Sequence, residues 1–224
     1  MKRVLIISFL AFFGFISESQ AQLSKVGTTA AEFLQIPVGA RSTAMGATAA
    51  TVNDISAMYW NPAGLASIEN PGVMLEYTDW FIDVQHNYFG AALPLGKGVA
   101  GVHVVALTMG EFEETTETVG LTGRTFDAYS ISAGASYAQY LFPKLSIGGS
   151  AKFVYERIFT SSASSIAFDV GTLFETPFDG MRFGVSVTNV GSKMQIRGDE
   201  LITNIDVSDN NENKPEVEGT LVTE

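Results

Sequence analysis

Tyr129-Ser130-Ile131-Ser132-Ala133-Gly134-Ala135-Ser136-Tyr137 alternates without a break. One face carries Tyr129, Ile131, Ala133, Ala135 and Tyr137, and the other carries Ser130, Ser132, Gly134 and Ser136. A period of two places successive side chains on opposite faces of a β-strand. Here two tyrosines bracket an apolar face, and the opposite face is small and polar. A strand with lipid on one side and a wet lumen on the other has this pattern, with aromatic side chains at the membrane interfaces. The alternation fills 127–141.

Working outward, the same reading extends to 145–156, where Leu145, Ile147, Gly149, Ala151, Phe153 and Tyr155 alternate with Ser146, Gly148, Ser150, Lys152 and Glu156. It extends to 164–176, with Ile166, Phe168, Val170, Thr172 and Phe174 against Ala167, Asp169, Gly171 and Glu175. It extends to 181–189, with Met181, Phe183, Val185 and Val187 against Arg182, Gly184, Ser186 and Thr188. Segments 72–80, 85–95 and 98–109 are strand-like with weaker alternation. The count is about seven strands, most near the ~9–11 residues that a tilted strand needs to cross a bilayer. Tight connections are expected at Leu95-Gly96-Lys97, Phe142-Pro143 and Phe178-Asp179-Gly180. Longer or more polar ones are expected near 80–84, at 110–126, at 158–163 and from Gly191 onward. Such sorting by parity suits a barrel with short periplasmic turns and longer outer loops. A soluble β-sandwich also alternates. Long strands, a Gly/Ser-rich polar face and aromatic strand ends favour the barrel.

The chain's start sets a compartment. Lys2 and Arg3 precede an apolar run from Val4 to Ile16, and Ser19-Gln20-Ala21 has small residues where a signal peptidase reads. A run this short falls below the ~20 residues of a spanning helix, so 1–21 reads as a cleavable leader that leaves Gln22 first. The expected location is the outer membrane, with its lipid as one partner. There is no cysteine, which removes disulfides, thiol catalysis and cysteine metal sites. The formal charge of −11 falls to −12 once Lys2, Arg3 and Glu18 leave with the leader. Nucleic acid is therefore excluded as a partner, because phosphate binding needs a basic surface.

The sequence also reads as part of a longer protein. The strand count is odd, whereas bacterial barrels usually have an even number, and an open edge in lipid leaves backbone groups unpaired. The final stretch, with Asp206, Asp209, Asn210, Asn211, Glu212 and Asn213, reads as an outer loop. The expected domains are a leader over 1–21, an N-terminal segment over 22–71 and the first half of a barrel of roughly 14 strands over 72–224. Closure by oligomerisation is the alternative.

Little chemistry is expected. His86 and His103 both fall in strands and outside any metal-binding motif. There is no nucleophile elbow and no phosphate-binding loop, and Gly148-Gly149-Ser150 reads as strand composition. Glu111-Phe112-Glu113-Glu114-Thr115-Thr116-Glu117 reads as a solvated run with, at most, weak calcium affinity. The Asp206–Glu212 stretch lacks the spacing and central glycine of an EF-hand loop. No catalytic residue, cofactor site or metal site is expected, and the chain does not read as an enzyme.

The N-terminal segment differs from the strand region. It is rich in Ala, Thr and Gly, with one short helix expected at Thr28–Leu34 under a threonine cap. A second is expected where Asn61 caps a helix begun by Pro62. Its distinctive residues are Gly39-Ala40-Arg41, Met45-Gly46, Asp54 and Asn61-Pro62-Ala63-Gly64-Leu65, preceded by Ala31-Glu32-Phe33-Leu34 and Ile36-Pro37-Val38. This set resembles the N-terminal region of the PorV/PorQ family, within the wider FadL-like group of barrels. The specific part covers about 35 residues, and the looser likeness runs to the chain's end.

The resemblance implies a 14-stranded outer-membrane barrel with an N-terminal segment folded inward as a plug. Gly39, Arg41, Met45, Gly46, Asp54, Asn61, Pro62, Ala63, Gly64 and Leu65 would form it. Physically, small residues over 39–50 let a backbone pack tightly inside a barrel. Arg41 and Asp54 would pair with lumen charges or with each other, and Asn61 would also reach the wall. The family implies a component of the type IX secretion system that handles cargo protein at the cell surface, with the translocon as partner. The alternatives are a FadL-like channel for hydrophobic small molecules and a purely structural outer-membrane protein.

Overall fold

The computed structural model describes residues 30–46, 49–116, 120–178, 180–197, 202–205 and 217–220. The expected leader over 1–21 lies outside them. Seven antiparallel strands form one sheet in simple sequence order. They are β1 (Gly72–Phe81), β2 (Val84–Leu95), β3 (Gly98–Thr116), β4 (Gly120–Phe142), β5 (Leu145–Ile158), β6 (Ser161–Glu175) and β7 (Arg182–Gly191). All seven overlap the segments the alternation predicts, with β3 and β4 running beyond theirs. The sheet is open, with β1 and β7 at its edges.

The two faces of the sheet are inverted relative to a soluble protein. On β6, Ile166, Phe168 and Val170 are exposed, whereas Ala167 and Asp169 between them are buried. On β7, Val185 is 66% exposed, and Ser186 next to it is only half-buried. On β5, Phe153 is 49% exposed and Lys152 only 5%. Water-facing sheets normally bury their apolar face because that removes hydrocarbon from water. Here the polar face is covered and the apolar face is open.

What covers the polar face is the N-terminal segment. It runs as a 3-10 turn at Glu32–Gln35, a short helix α1 (Ala40–Ala44), a 3-10 turn at Ala49–Thr51, a helical turn α2 (Ala57–Trp60) and a 3-10 helix at Pro62–Ser67. Two apolar clusters join it to the sheet. In one, Phe33, Leu34, Val38 and Tyr59 meet Tyr88, Val105, Leu107 and Val154. In the other, Val52, Ala57, Met58 and Leu65 meet Ala92, Val99 and Ala138.

Several expectations need correction. The 110–126 stretch is no loop: β3 and β4 continue through it as a paired ribbon to Thr116 and Gly120. The connections near 80–84 and 158–163 are also tight. Ile82 and Asp83, both at positive φ, turn β1 into β2, and Phe159 at φ 53° turns β5 into β6. A two-residue turn with positive φ matches the twist of the flanking strands, so polar composition there does not require length. The connection from β6 to β7, expected to be short, is the longest of the six. The expected helix at Thr28–Leu34 is one 3-10 turn beginning at Glu32. Ala31 before it is left-handed (φ 58°) and makes no side-chain cap. The would-be threonine caps, Thr28 and Thr29, lie outside the described residues. Within the stretch expected as a terminal loop, β8 (Ile202–Ile205) pairs with β9 (Val217–Thr220).

Candidate functional site

The covered face is built in levels. Nearest the β4–β5 turn, the sheet presents Ser186, Gly171, Gly148, Ala138 and Val99 side by side in register. The Asn61-Pro62-Ala63-Gly64-Leu65 stretch presses onto this bed of small residues. A Cβ at Gly148 would come within 2.5 Å of the Ala63 nitrogen. A Cβ at Gly171 would overlap Asn61 Oδ1, and one at Gly184 would overlap the Ala50 carbonyl. Gly148 and Gly184 leave room for an approaching backbone, and Gly171 for the Asn61 side chain. Gly148 is therefore more than strand composition, and the sequence alone did not reveal its role. Gly64 is likewise required, since a Cβ would strike the Val52 carbonyl.

Asn61 does three things at once. Its Oδ1 accepts from the Ala63 N–H at 3.1 Å, which caps the helix as expected. Its Nδ2 donates to the Ala50 carbonyl at 2.6 Å and to the Thr172 carbonyl on β6 at 3.0 Å. Thr172 belongs to the wall, so the expected link from Asn61 to the sheet is present. Pro62, Ala63, Gly64 and Leu65 are all buried here, and Ser146 Oγ donates to the Ala63 carbonyl at 2.9 Å.

Above this level sits a buried ion pair. Lys152 Nζ lies 2.9 Å from both carboxylate oxygens of Asp169. Asp169 Oδ1 also accepts from the Asn189 N–H at 2.7 Å. Asn189 is left-handed (φ 61°) and lies where the β6–β7 register slips. The carboxylate thus holds a bulge in β7 as well as a lysine. Neither residue belonged to the distinctive N-terminal set, although the alternation placed both on the polar face. His103 lies two strands from Lys152, with Gly134 of β4 between them, and stacks on Tyr88 at 6.3 Å. His86 Nε2 and His103 Nδ1 are buried without a hydrogen-bond partner among the described residues. Among the described residues, no three His, Asp or Glu side chains gather as metal ligands.

The Gly39–Asp54 portion is tied from several sides. Gly39 (φ 91°) donates its N–H to Glu76 of β1 at 2.6 Å. Arg41 meets Asp54 at 3.8 Å, a partly exposed pair, and Asp54 Oδ1 accepts from the Ser56 N–H and hydroxyl. Trp60 donates its indole N–H to the Val38 carbonyl at 2.8 Å. The Tyr59 hydroxyl donates to the carbonyls of Leu34 and Ile36. Burial, and then the Asp169 charge, push the Tyr59 pKa up, so the hydroxyl stays a donor. Met45 and Gly46 end α1 in an exposed turn, with Gly46 at φ 76°. The ten motif residues therefore do not form one group: Asn61–Leu65 lie in the glycine bed, Gly39 is tied to β1, Arg41 and Asp54 pair with each other, and Met45 and Gly46 lie in the exposed turn.

At the opposite end from the β4–β5 turn, packing is incomplete. A cavity of about 750 Å3 opens between the Glu32–Gln35 turn and the sheet, with Phe33, Ile36, Leu107, Met109, Phe112 and Glu156 among its walls. Glu156 Oε2 accepts the Ala31 N–H at 3.1 Å at its margin. No protein family, curated protein or solved structure matches this chain.

Proposed function

We propose that this chain forms seven strands of an outer-membrane β-barrel of the PorV/PorQ type. In that barrel of about 14 strands, residues 30–67 plug the lumen. Its role is as a component of the type IX secretion system, handling cargo protein at the cell surface. The inverted sheet carries the membrane part of the reading. The outward row of β5 runs from Leu145 to Tyr155. At ~3.4 Å per residue and a tilt of ~40°, ten steps give about 26 Å, close to the ~25 Å apolar band of such barrels. Tyr77, Tyr129 and Tyr155 mark one margin of this band, and Phe142 and Phe183, which pair with Leu145 and Phe174, lie at the other.

The filled polar face supports a plugged barrel over an open pore. Asn61 is locked to Thr172, and three strand glycines are shaped to the segment above them. A lumen packed in this way favours work at the outer surface, which suits a secretion component. Removing the gene tests this: exported proteins should then fail to reach the cell surface and collect in the periplasm. Normal surface display in the deletion strain, with the protein shown to reside in the outer membrane, would refute the secretion role and leave the barrel standing.

A second reading, uptake of hydrophobic small molecules, draws on the 750 Å3 cavity with its largely apolar walls. It predicts saturable binding of a long-chain fatty acid to the purified protein, weakened by Leu107→Glu.

A further inference from the structure

The β3–β4 ribbon outruns its neighbours on both sides. β2 pairs with β3 only as far as Thr108, and β5 pairs with β4 only as far as Ala128. Beyond those points, among the described residues, Glu111–Thr116 and Gly120–Phe126 pair only with each other. The β1–β2 turn reaches the ribbon's base, where a Cβ on Gly110 would sit 3.1 Å from Asp83 Cβ. Past that base, no strand lies beside the β3 edge among the described residues. Two-stranded ribbons are marginal in water, and an unpaired edge is a template for another strand.

The ribbon's register slips between Met109 and Phe112 and between Glu113 and Thr115, and side-chain contacts brace it. Phe112 stacks on Phe126 at 5.4 Å, and Phe126 meets Phe159 edge-on at 5.3 Å. Arg124 lies over the Phe159 ring and pairs with Glu114 at 3.5 Å. Arg124 is the sole cation in the described ribbon, and Glu114 already engages it. Glu111 and Glu113 remain, exposed, two residues apart on the β3 edge, with no ion pair among the described residues.

We propose that the β3 edge at Glu111–Thr116 binds an extended polypeptide segment as an added antiparallel strand, with basic residues at alternate positions facing Glu111 and Glu113. Unpaired main-chain groups provide the attachment. Cross-strand neighbours sit ~5 Å apart, so a Lys-x-Lys spacing matches Glu-x-Glu directly. The inference stands apart from the secretion reading, because it needs only the ribbon and its charge.

The probe is a ten-residue peptide alternating Lys and Thr, titrated by fluorescence anisotropy against the purified full chain in detergent micelles. Saturable binding is expected, at least about tenfold weaker for Glu111→Lys/Glu113→Lys. It should also be lost when alternate peptide nitrogens are methylated, which keeps the charge and removes the donors. Equal binding by the methylated peptide would overturn the proposal in favour of plain charge attraction. No binding at low salt would overturn it as well. So would a chain that self-associates through this edge, seen as a dimer that the double substitution dissociates.

Discussion

The two ends of the covered face solve the same packing problem in opposite ways. Near the β4–β5 turn the sheet contributes almost no side chain. Gly148 and Gly184 let the backbone at Ala50 and Pro62–Ala63 lie directly on the strands, and Gly171 admits the Asn61 side chain, which bonds across the contact. At the far end both sides contribute large groups, Phe33 and Leu34 against Tyr88, Val105 and Leu107. Beyond this cluster the packing opens into the 750 Å3 cavity, whose walls include Phe33 and Leu107. Backbone-on-backbone contact is close and intolerant of added volume, whereas a side-chain interface with a void absorbs change. The turn end should therefore be the fixed end of the N-terminal segment.

Substitutions can break or sharpen this contrast. The largest effect is expected between the two ends, at the ion pair. Lys152→Met strands the buried Asp169 carboxylate and should destabilise the chain by about 3–5 kcal/mol, read as a lowered urea midpoint in lipid vesicles. Asn61→Ala removes a cap and leaves the Ala50 and Thr172 carbonyls unmet, a loss of about 3 kcal/mol in the same measurement. A loss under about 1 kcal/mol, the size of a cap alone, would mean that the turn end is not fixed by Asn61. Gly171→Ala drives a methyl into Asn61 and should cost about 1–3 kcal/mol. Ser162→Leu, which fills space at the cavity margin, should by contrast change stability by less than about 0.5 kcal/mol. Amide exchange gives the finest test. The Asn61 and Gly64 N–H groups should exchange more slowly than that of Leu34, since low local packing lowers the cost of opening. The reverse order would exchange the roles of the two ends.

Legibility followed periodicity. Every strand from β1 to β7 is readable, because a two-residue period with one apolar face survives whatever lies on either side of the sheet. Turn lengths are not. Polar residues around Ile82 and Phe159 suggest long loops, yet positive-φ two-residue turns serve there. In the 110–126 stretch the glutamates outweigh the alternation and point to a loop, although the Phe112–Phe126 pair could have signalled a ribbon. In the N-terminal segment, the Asn61 cap is legible from Asn-Pro, a local signal. Its bond to Thr172, 111 residues away, could be foreseen only in kind.

By itself, the sequence determined that this is a β-sheet protein with one apolar and one polar face per strand, because side-chain alternation is a property of the chain alone. It also marked Lys152 and Asp169 as belonging to the same face. Only the tertiary structure decided that they pair, that Asp169 also holds the β7 bulge, and that Gly148, Gly171 and Gly184 form a bed for Asn61–Leu65. Those facts depend on strand register and on which distant segment lies above the sheet. Register is set by the sum of many pairings across the whole sheet, and no short stretch of sequence contains that sum.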